Sequence, residues 1–237
     1  MKDIDKLQKL IDESNYIVFF GGAGVSTSSG IPDYRSKDGL YNQKFKYPPE
    51  IILSSGFFYS NTEDFYKFYK DKFNVIDYKP NIVHTYLYEL EKKGKLKAIV
   101  TQNIDGLHTK AGNKNVYELH GTVYKYHCIK CNKEYGPEYI FSSKGVPKCE
   151  CGGIIKPNVV LYGESLNESY NEALYHISKA DLLIVAGTSL NVYPAAGMLD
   201  FFRGRHLVII NKTTTSYDYK AELLIQEDMK KVFEKLK

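Results

Sequence analysis

"FFGGAGVSTSSGIPDYR", residues 19–35, decides how this chain is read. Gly22 and Gly24 directly follow the apolar run at 16–20. A buried strand that runs into a glycine turn is how a dinucleotide-binding unit begins, because small residues let phosphates approach backbone N–H groups. The third glycine of that fingerprint is missing, and Thr27 stands in its place. The stretch then continues as Gly30-Ile31-Pro32-Asp33-Tyr34-Arg35, a rigid, charged and aromatic segment where a plain helix is the usual sequel. Taken alone, Gly-x-Gly after a strand is equally a tight turn, so its neighbours must decide.

Three further runs, 96–101, 182–186 and 207–210, are short and aliphatic and read as strands buried on both faces. Helical spacing lies between and around them. It places Ile4, Leu7 and Ile11 on one face near the start, and Ile82, Tyr86, Leu87 and Leu90 on one side of 80–93. Ala173, Leu174 and Ile177 share a side of 168–178, and Met229, Val232, Phe233 and Leu236 share a side of 226–236. Strands alternating with helices predict an α/β fold with a doubly wound parallel sheet. Two regions break the rhythm: an insert at 36–79 holding the aromatic-rich helical stretch 61–73, and 125–156, which holds every cysteine.

Composition narrows the classes. The 237 residues carry a formal charge of +4, with lysines and acids interspersed, so no basic arm points to nucleic acid. The arginines are Arg35, Arg203 and Arg205, which leaves few arginine forks for phosphate or carboxylate. The charged start and the shortness of the apolar runs predict no membrane span and a cytoplasmic protein.

Cys128-x-x-Cys131 and Cys149-x-Cys151 have the separation of a zinc-binding pair of pairs. Two disulfides are the alternative, disfavoured in a reducing compartment. Four thiolates close a zinc shell and leave no position for water or substrate, so such a zinc is structural. The second pair departs from the usual Cys-x-x-Cys, and His127, beside Cys128, is an alternative ligand.

Polar residues gather at the ends of the predicted strands. Gln102-Asn103-Ile104-Asp105 follows one, Gly187-Thr188-Ser189 another and Asn211 a third. The carboxyl ends of parallel strands face the ligand crevice of such a sheet. His120 lies at the border of the cysteine insert, a junction between modules, whereas His84, His108, His176 and His206 have no comparable setting.

Together these blocks resemble the sirtuins, the NAD-dependent protein lysine deacylases. The resemblance rests on 22–26, 29–35, 101–108, 118–121, the four cysteines, 157–164 and 187–190, which follow one another in the family's order. It implies a Rossmann-like domain from 1–35, 80–124 and 157–237, with a smaller domain made of a helical insert (36–79) and a zinc-binding insert (125–156). The segment after the glycine loop would be a flap over NAD, with Tyr34 where the family usually has phenylalanine, and with Asp33 and Arg35 fixing the flap and the ribose or phosphate.

By the same resemblance, Ala23, Thr27, Gln102, Ile104, Asp105, Thr188, Ser189, Asn211 and Asp228 would also bind the cofactor. Ile104 and Asp105 would hold the nicotinamide carboxamide. His120 would be the general base on a ribose hydroxyl and Asn103 its catalytic companion, orienting ribose or water. An acetyl-lysine peptide would lie as an extended strand between Val160, Leu161, Tyr162, Gly163 and Glu164 on one side and the segment around Val192 on the other. The implied products are free lysine, nicotinamide and O-acetyl-ADP-ribose. The implied partners are acetyl-lysine proteins acted on by a monomer. An ADP-ribosyltransferase or a longer-chain lysine deacylase could use the same site. A dehydrogenase leaves the cysteine insert and the Gln-Asn-Ile-Asp strand end without a purpose, and a zinc-knuckle nucleic-acid binder lacks the basic stripe.

Overall fold

The computed structural model describes residues 2–34 and 39–237. Arg35 therefore lies outside the described residues. In chain order, α1 (Lys2–Glu13) leads to β1 (Ile17–Gly21) and a 3₁₀ segment at Ala23–Ser29. Next come α2 (Pro49–Ile52), α3 (Ser55–Ser60), α4 (Thr62–Lys72), α5 (Ile82–Lys92), β2 (Leu96–Thr101), α6 (Leu107–Lys110) and β3 (Val116–Glu118). Then follow β4 (Gly121–Cys128), β5 (Glu134–Tyr135), α7 (Pro137–Ser142) and β6 (Ile155–Val159). The chain closes with α8 (Ser169–Lys179), β7 (Leu182–Ala186), β8 (His206–Ile210), β9 (Leu223–Ile225) and α9 (Met229–Phe233).

Six strands form a parallel sheet in the order β3-β2-β1-β7-β8-β9. Counting only these strands along the chain gives 3-2-1-4-5-6, the Rossmann order, and the order reverses between β1 and β7. Both faces are covered. Ile17 and Phe19 point into one core with Leu7, Leu87 and Phe233, while Val18 and Phe20 point into the other with Ala173, Ile177 and Met198. That explains why β1 reads as an unbroken apolar run rather than an alternating one.

Two edge strands, β3 and β9, have three residues each and are too short to show a period in sequence. The last helix is shorter than its predicted 226–236. Leu223–Ile225 pairs with β8, and the Asp228 side chain caps α9 by accepting from Lys230 N at 2.9 Å. Ile82, expected on the apolar side of α5, is 37% exposed, and Val83 takes the buried position.

The two inserts build one smaller lobe. β5-β4-β6 is a three-stranded antiparallel sheet, and α2, α3 and α4 pack against it with α7. Its core is aromatic: Phe58, Phe65, Tyr66, Tyr69 and Tyr126 are fully buried. Tyr69 stacks between Phe65 at 5.5 Å and Phe73 at 5.2 Å. Large rings give two short inserts the apolar area that few aliphatic residues could supply. Polar ties join the inserts as well. Tyr66 Oη donates to Ile155 O, and Lys70 Nζ donates to Ser143 O at 2.6 Å and Gly145 O at 2.9 Å.

Beneath the large sheet, α5 starts with a capping box. Asn81 Oδ1 accepts from Val83 N, and His84 Nδ1 accepts from Asn81 N. His84 is buried with its ring centroid 4.6 Å from that of His108. Burial holds the His84 imidazole down at about 4, and burial with the neighbouring His84 also lowers His108. The unfolded chain therefore binds more protons than the folded one below the ordinary histidine value of about 6.5. The stability both rings contribute is complete above that pH and is lost as pH falls toward 4. For His84 alone the loss is about 3 kcal/mol. Urea unfolding of the wild type and of His84→Gln, compared between pH 6.5 and 4, should show the difference between their midpoints shrinking as pH falls; a pH-independent difference would contradict the buried neutral pair.

Candidate functional site

Strand register aligns the chemistry. Gly21 pairs with both Thr101 and Ala186, Thr101 with Glu118, and Ala186 with Ile210. The residues just beyond are Gly22, Gln102, Leu119, Gly187 and Asn211, so five strand ends open along one row. His120 follows Leu119 directly. Above this row lies a cleft of about 750 Å³, within the size range of ligand sites.

The glycine loop forms its floor. Gly22 N donates to Ala186 O at 3.2 Å and Gly24 N to Gly187 O at 2.9 Å. A Cβ on Gly24 would sit 2.8 Å from Gly187 Cα, so the two turns can meet only as bare backbone. The missing third glycine is explained too. In the dinucleotide fingerprint it lets a long helix pack closely on the sheet. Here only the short 3₁₀ segment follows, Thr27 Oγ1 donates to Gly24 O, and Gly30 ends the segment at φ 95°. The chain is thereby released toward Asp33 and Tyr34, which line the cleft. Tyr34 packs edge-on against Tyr41 at 5.5 Å.

The 102–105 loop is braced from below. Asp105 is buried and does not line the cleft. Its carboxylate accepts from Ser26 Oγ at 2.6 Å and Leu107 N at 2.9 Å, and Asn103 Nδ2 donates to Ser26 Oγ at 3.1 Å. Burial raises the Asp105 carboxyl, and these bonds pull the other way. Gln102, Asn103 and Ile104 face the cleft as a result. Nothing in the sequence marks Ser26 as the link between the glycine loop and Asp105.

His120 also faces the cleft, with Nδ1 2.9 Å from Gln102 O. A carbonyl only accepts, so Nδ1 carries the proton and Nε2 keeps the lone pair of a base. Burial lowers this imidazole, and the bond to Gln102 O opposes the shift in part. Gln102 Nε2 in turn donates to Thr188 Oγ1 at 3.0 Å, which ties the β2 end to the β7 end. Two residues before His120, burial with added repulsion from Asp105 pushes Glu118 up to about 7, a perturbation that no pattern in the sequence announced.

Ala23 and Thr27 line one part of the cleft, with Thr188, Ser189, Asn211 and Asp228 nearby. Asp228 pairs with Lys212 at 2.7 Å, and the hydrogen bond to that ammonium lowers its carboxyl. Val160, Leu161, Tyr162, Gly163 and Glu164 form one wall and Val192 stands on another. The sequence reading missed Leu53, Tyr69 and Phe73, which carry the small lobe's apolar core into the cleft. Tyr69 and Phe73 belong to the stretch 61–73 read as aromatic-rich and helical, but nothing in that spacing, or around Leu53, says what those residues border.

The four cysteines stand apart from the cleft, and their sulfurs all lie within 4.8 Å of one another. Neighbouring S···S separations are 3.4, 3.5 and 3.6 Å. A tetrahedral zinc with Zn–S bonds of 2.3 Å has edges of about 3.8 Å, whereas a disulfide brings its sulfurs to about 2.05 Å. The thiols therefore fit a zinc ion. Gly153 passes so close that a Cβ there would lie 2.6 Å from Cys128 Sγ. The ligand atoms that gather are the four cysteine sulfurs, and His127, whose Nδ1 is bonded to Asn158 Oδ1, is not among them.

Residues 22–194 match the Sir2 family. An NAD-dependent protein deacetylase of Clostridium acetobutylicum is 54% identical over 236 residues, covering 98% of this chain and 96% of that one. A solved structure of Sir2 with deacetylated p53 peptide and 3′-O-acetyl ADP-ribose superposes with a TM-score of 0.91 at 41% identity, covering 98% and 96% of the two chains. A structure of Sir2 with p53 peptide and NAD+ superposes at 0.87, also at 41% identity, covering 98% and 95%.

Two expectations follow. Elemental analysis should find one zinc per chain, and Cys128→Ala should lose it together with the near-UV signal of the aromatic small lobe; a metal-free wild type with that signal intact would contradict the zinc assignment. Because burial lowers His120, the basic form is reached at lower pH, so the acid limb of kcat/KM attributable to it should bend below about 6.5. A limb centred above that value would contradict it.

Proposed function

The chain belongs to the Sir2 family, and from that premise we infer that it is an NAD-dependent protein deacetylase that removes acetyl groups from lysine side chains and yields nicotinamide and O-acetyl-ADP-ribose. The observation that carries this reading is the row of strand ends. One register sets a phosphate-sized glycine turn, an amide-rich loop and a neutral imidazole around a single cleft.

Bound NAD supplies an electrophilic sugar carbon once nicotinamide leaves. Each protein group then has a task. The N–H of Ala23 and the hydroxyls of Thr27, Thr188 and Ser189 face the phosphates and ribose, and Asn211 and Asp228 face the adenosine half. Ile104 presents its backbone and side chain to the carboxamide, with the buried Asp105 fixing the loop that aims it. Gln102 and Asn103 orient the ribose, and Asn103 is the second catalytic residue. The acyl-lysine carbonyl oxygen would bond to that sugar carbon as nicotinamide leaves. His120 Nε2 would then take the proton from a ribose hydroxyl, whose oxygen attacks the acyl carbon; the acyl C–N bond breaks to release the lysine amine, and water completes O-acetyl-ADP-ribose. Tyr34 closes over the nicotinamide side, and Arg35 is assigned to the cofactor as well.

The peptide adds as a strand between 160–164 and the segment around Val192, where main-chain pairing accepts many sequences. In this reading 1–35, 80–124 and 157–237 form the cofactor domain, and 36–79 with 125–156 form the smaller one. We read the enzyme as a cytoplasmic monomer, and the charge of +4 without a basic stripe suits an enzyme with no nucleic-acid partner. Among the described residues no helix is long and apolar enough to cross a membrane.

Mass spectrometry of an acetyl-lysine peptide incubated with enzyme and NAD tests the reaction. Loss of the acetyl group with formation of O-acetyl-ADP-ribose is expected. Transfer of ADP-ribose to the protein without deacetylation would replace this reading with the transferase one. His120→Ala should lose at least about a hundredfold in kcat with the unfolding midpoint nearly unchanged. NAD-dependent turnover retained at the wild-type rate in that variant would remove His120 from the base role.

A further inference from the structure

We propose that Lys156 is a positioning residue for the peptide substrate, acting through Glu164 on the turn that receives it. The proposal rests on the reading that 160–164 pairs with the peptide. Among the described residues Lys156 is the one buried lysine, 7% exposed on β6. Its Nζ lies 3.2 Å from Glu164 Oε2, and Pro157 O and Val159 O accept from it at 3.4 Å. The ammonium also sits 6.0 Å from the centroid of the Phe58 ring.

The same Glu164 oxygen accepts from Leu161 N at 3.0 Å, and Glu164 N returns a bond to Leu161 O at 2.9 Å. One carboxylate oxygen thus joins a buried cation to the backbone of the cleft wall. The turn is closed by Gly163 at φ 90°. Its other side is pinned to the helical insert, where Tyr162 N donates to Leu53 O and Ser55 N to Tyr162 O, both at 2.9 Å. Lys156 itself does not line the cleft. It reaches the cleft wall through Glu164 and touches none of the residues assigned to NAD.

Energetics favour a positional role over a purely stabilising one. Burying a lysine requires removing its hydration, and a well-packed apolar side chain commonly serves stability as well or better than a buried ion pair. The pair offers direction instead. It fixes where the Glu164 carboxylate points, and so how Leu161 and Gly163 are presented to an incoming strand. Without the cation the carboxylate is drawn toward water and the turn loses its cross-brace.

Steady-state kinetics of the full chain, varying acetyl-lysine peptide and NAD in turn, test this. Lys156→Met keeps the length and drops the charge. It should raise the peptide KM about tenfold or more, with kcat and the NAD KM within about twofold of wild type. Lys156→Arg should return the peptide KM to within about threefold. An unchanged peptide KM in folded Lys156→Met, or an equal rise in both KM values, overturns the proposal. If Lys156→Met does not fold, Lys156→Gln carries the same expectation, and failure of both to fold assigns the cation to fold stability and overturns it as well. A wild type that deacetylates while the variants leave the peptide KM unmoved defeats this inference alone. A wild type with no deacetylation defeats the reading beneath it.

Discussion

The meeting of two bare backbones holds the site in place. Gly22 and Gly24 pack onto Gly187 and Thr188 with no room for a side chain between them. This contact joins the ends of β1 and β7 at the point where the strand order reverses. A sheet that reverses there leaves a crevice above its carboxyl ends. From it follow the common row of Gly22, Gln102, Gly187 and Asn211, and the brace from Gln102 to Thr188. A methyl group at Gly24 would push the turns apart and separate the glycine-loop half of the site from the half that carries His120.

The smaller lobe supplies the opposite wall. Its inserts are far apart in sequence, and neither has a large aliphatic core. Stacked rings and the Lys70 bonds to the cysteine insert hold them together, and a zinc-sized cage of thiols closes the second insert on itself. Because Leu53, Tyr69 and Phe73 belong to this core and also line the cleft, order in the lobe becomes shape in the site. Lys156 and Glu164 extend the same logic to the last few residues of the wall.

Much of this was legible in the sequence because the signals are local. An apolar run ending in glycine, a strand end crowded with amides and two spaced cysteine pairs each carry their meaning within a few residues. The sheet's central strands and the fold class were readable for that reason. The edge strands β3 and β9 were not, since three residues show no period. The end of α9 was misplaced because apolar spacing continues past the point where the chain stops being helical. Contacts between distant segments left no trace either. Ser26 to Asp105, His84 beside His108 and Lys156 to Glu164 are facts of packing, and composition and spacing do not encode them. The departure at Thr27 was visible as an anomaly, but its reason, the short 3₁₀ segment, appears only in three dimensions.

The most direct test of the account is a crystal structure of the chain with NAD and an acetyl-lysine peptide together. His120 Nε2 should stand within hydrogen-bond distance of a ribose hydroxyl, with its Nδ1 still bonded to Gln102 O and the peptide paired along 160–164. An imidazole turned away from the sugar, or a peptide seated elsewhere, would contradict it.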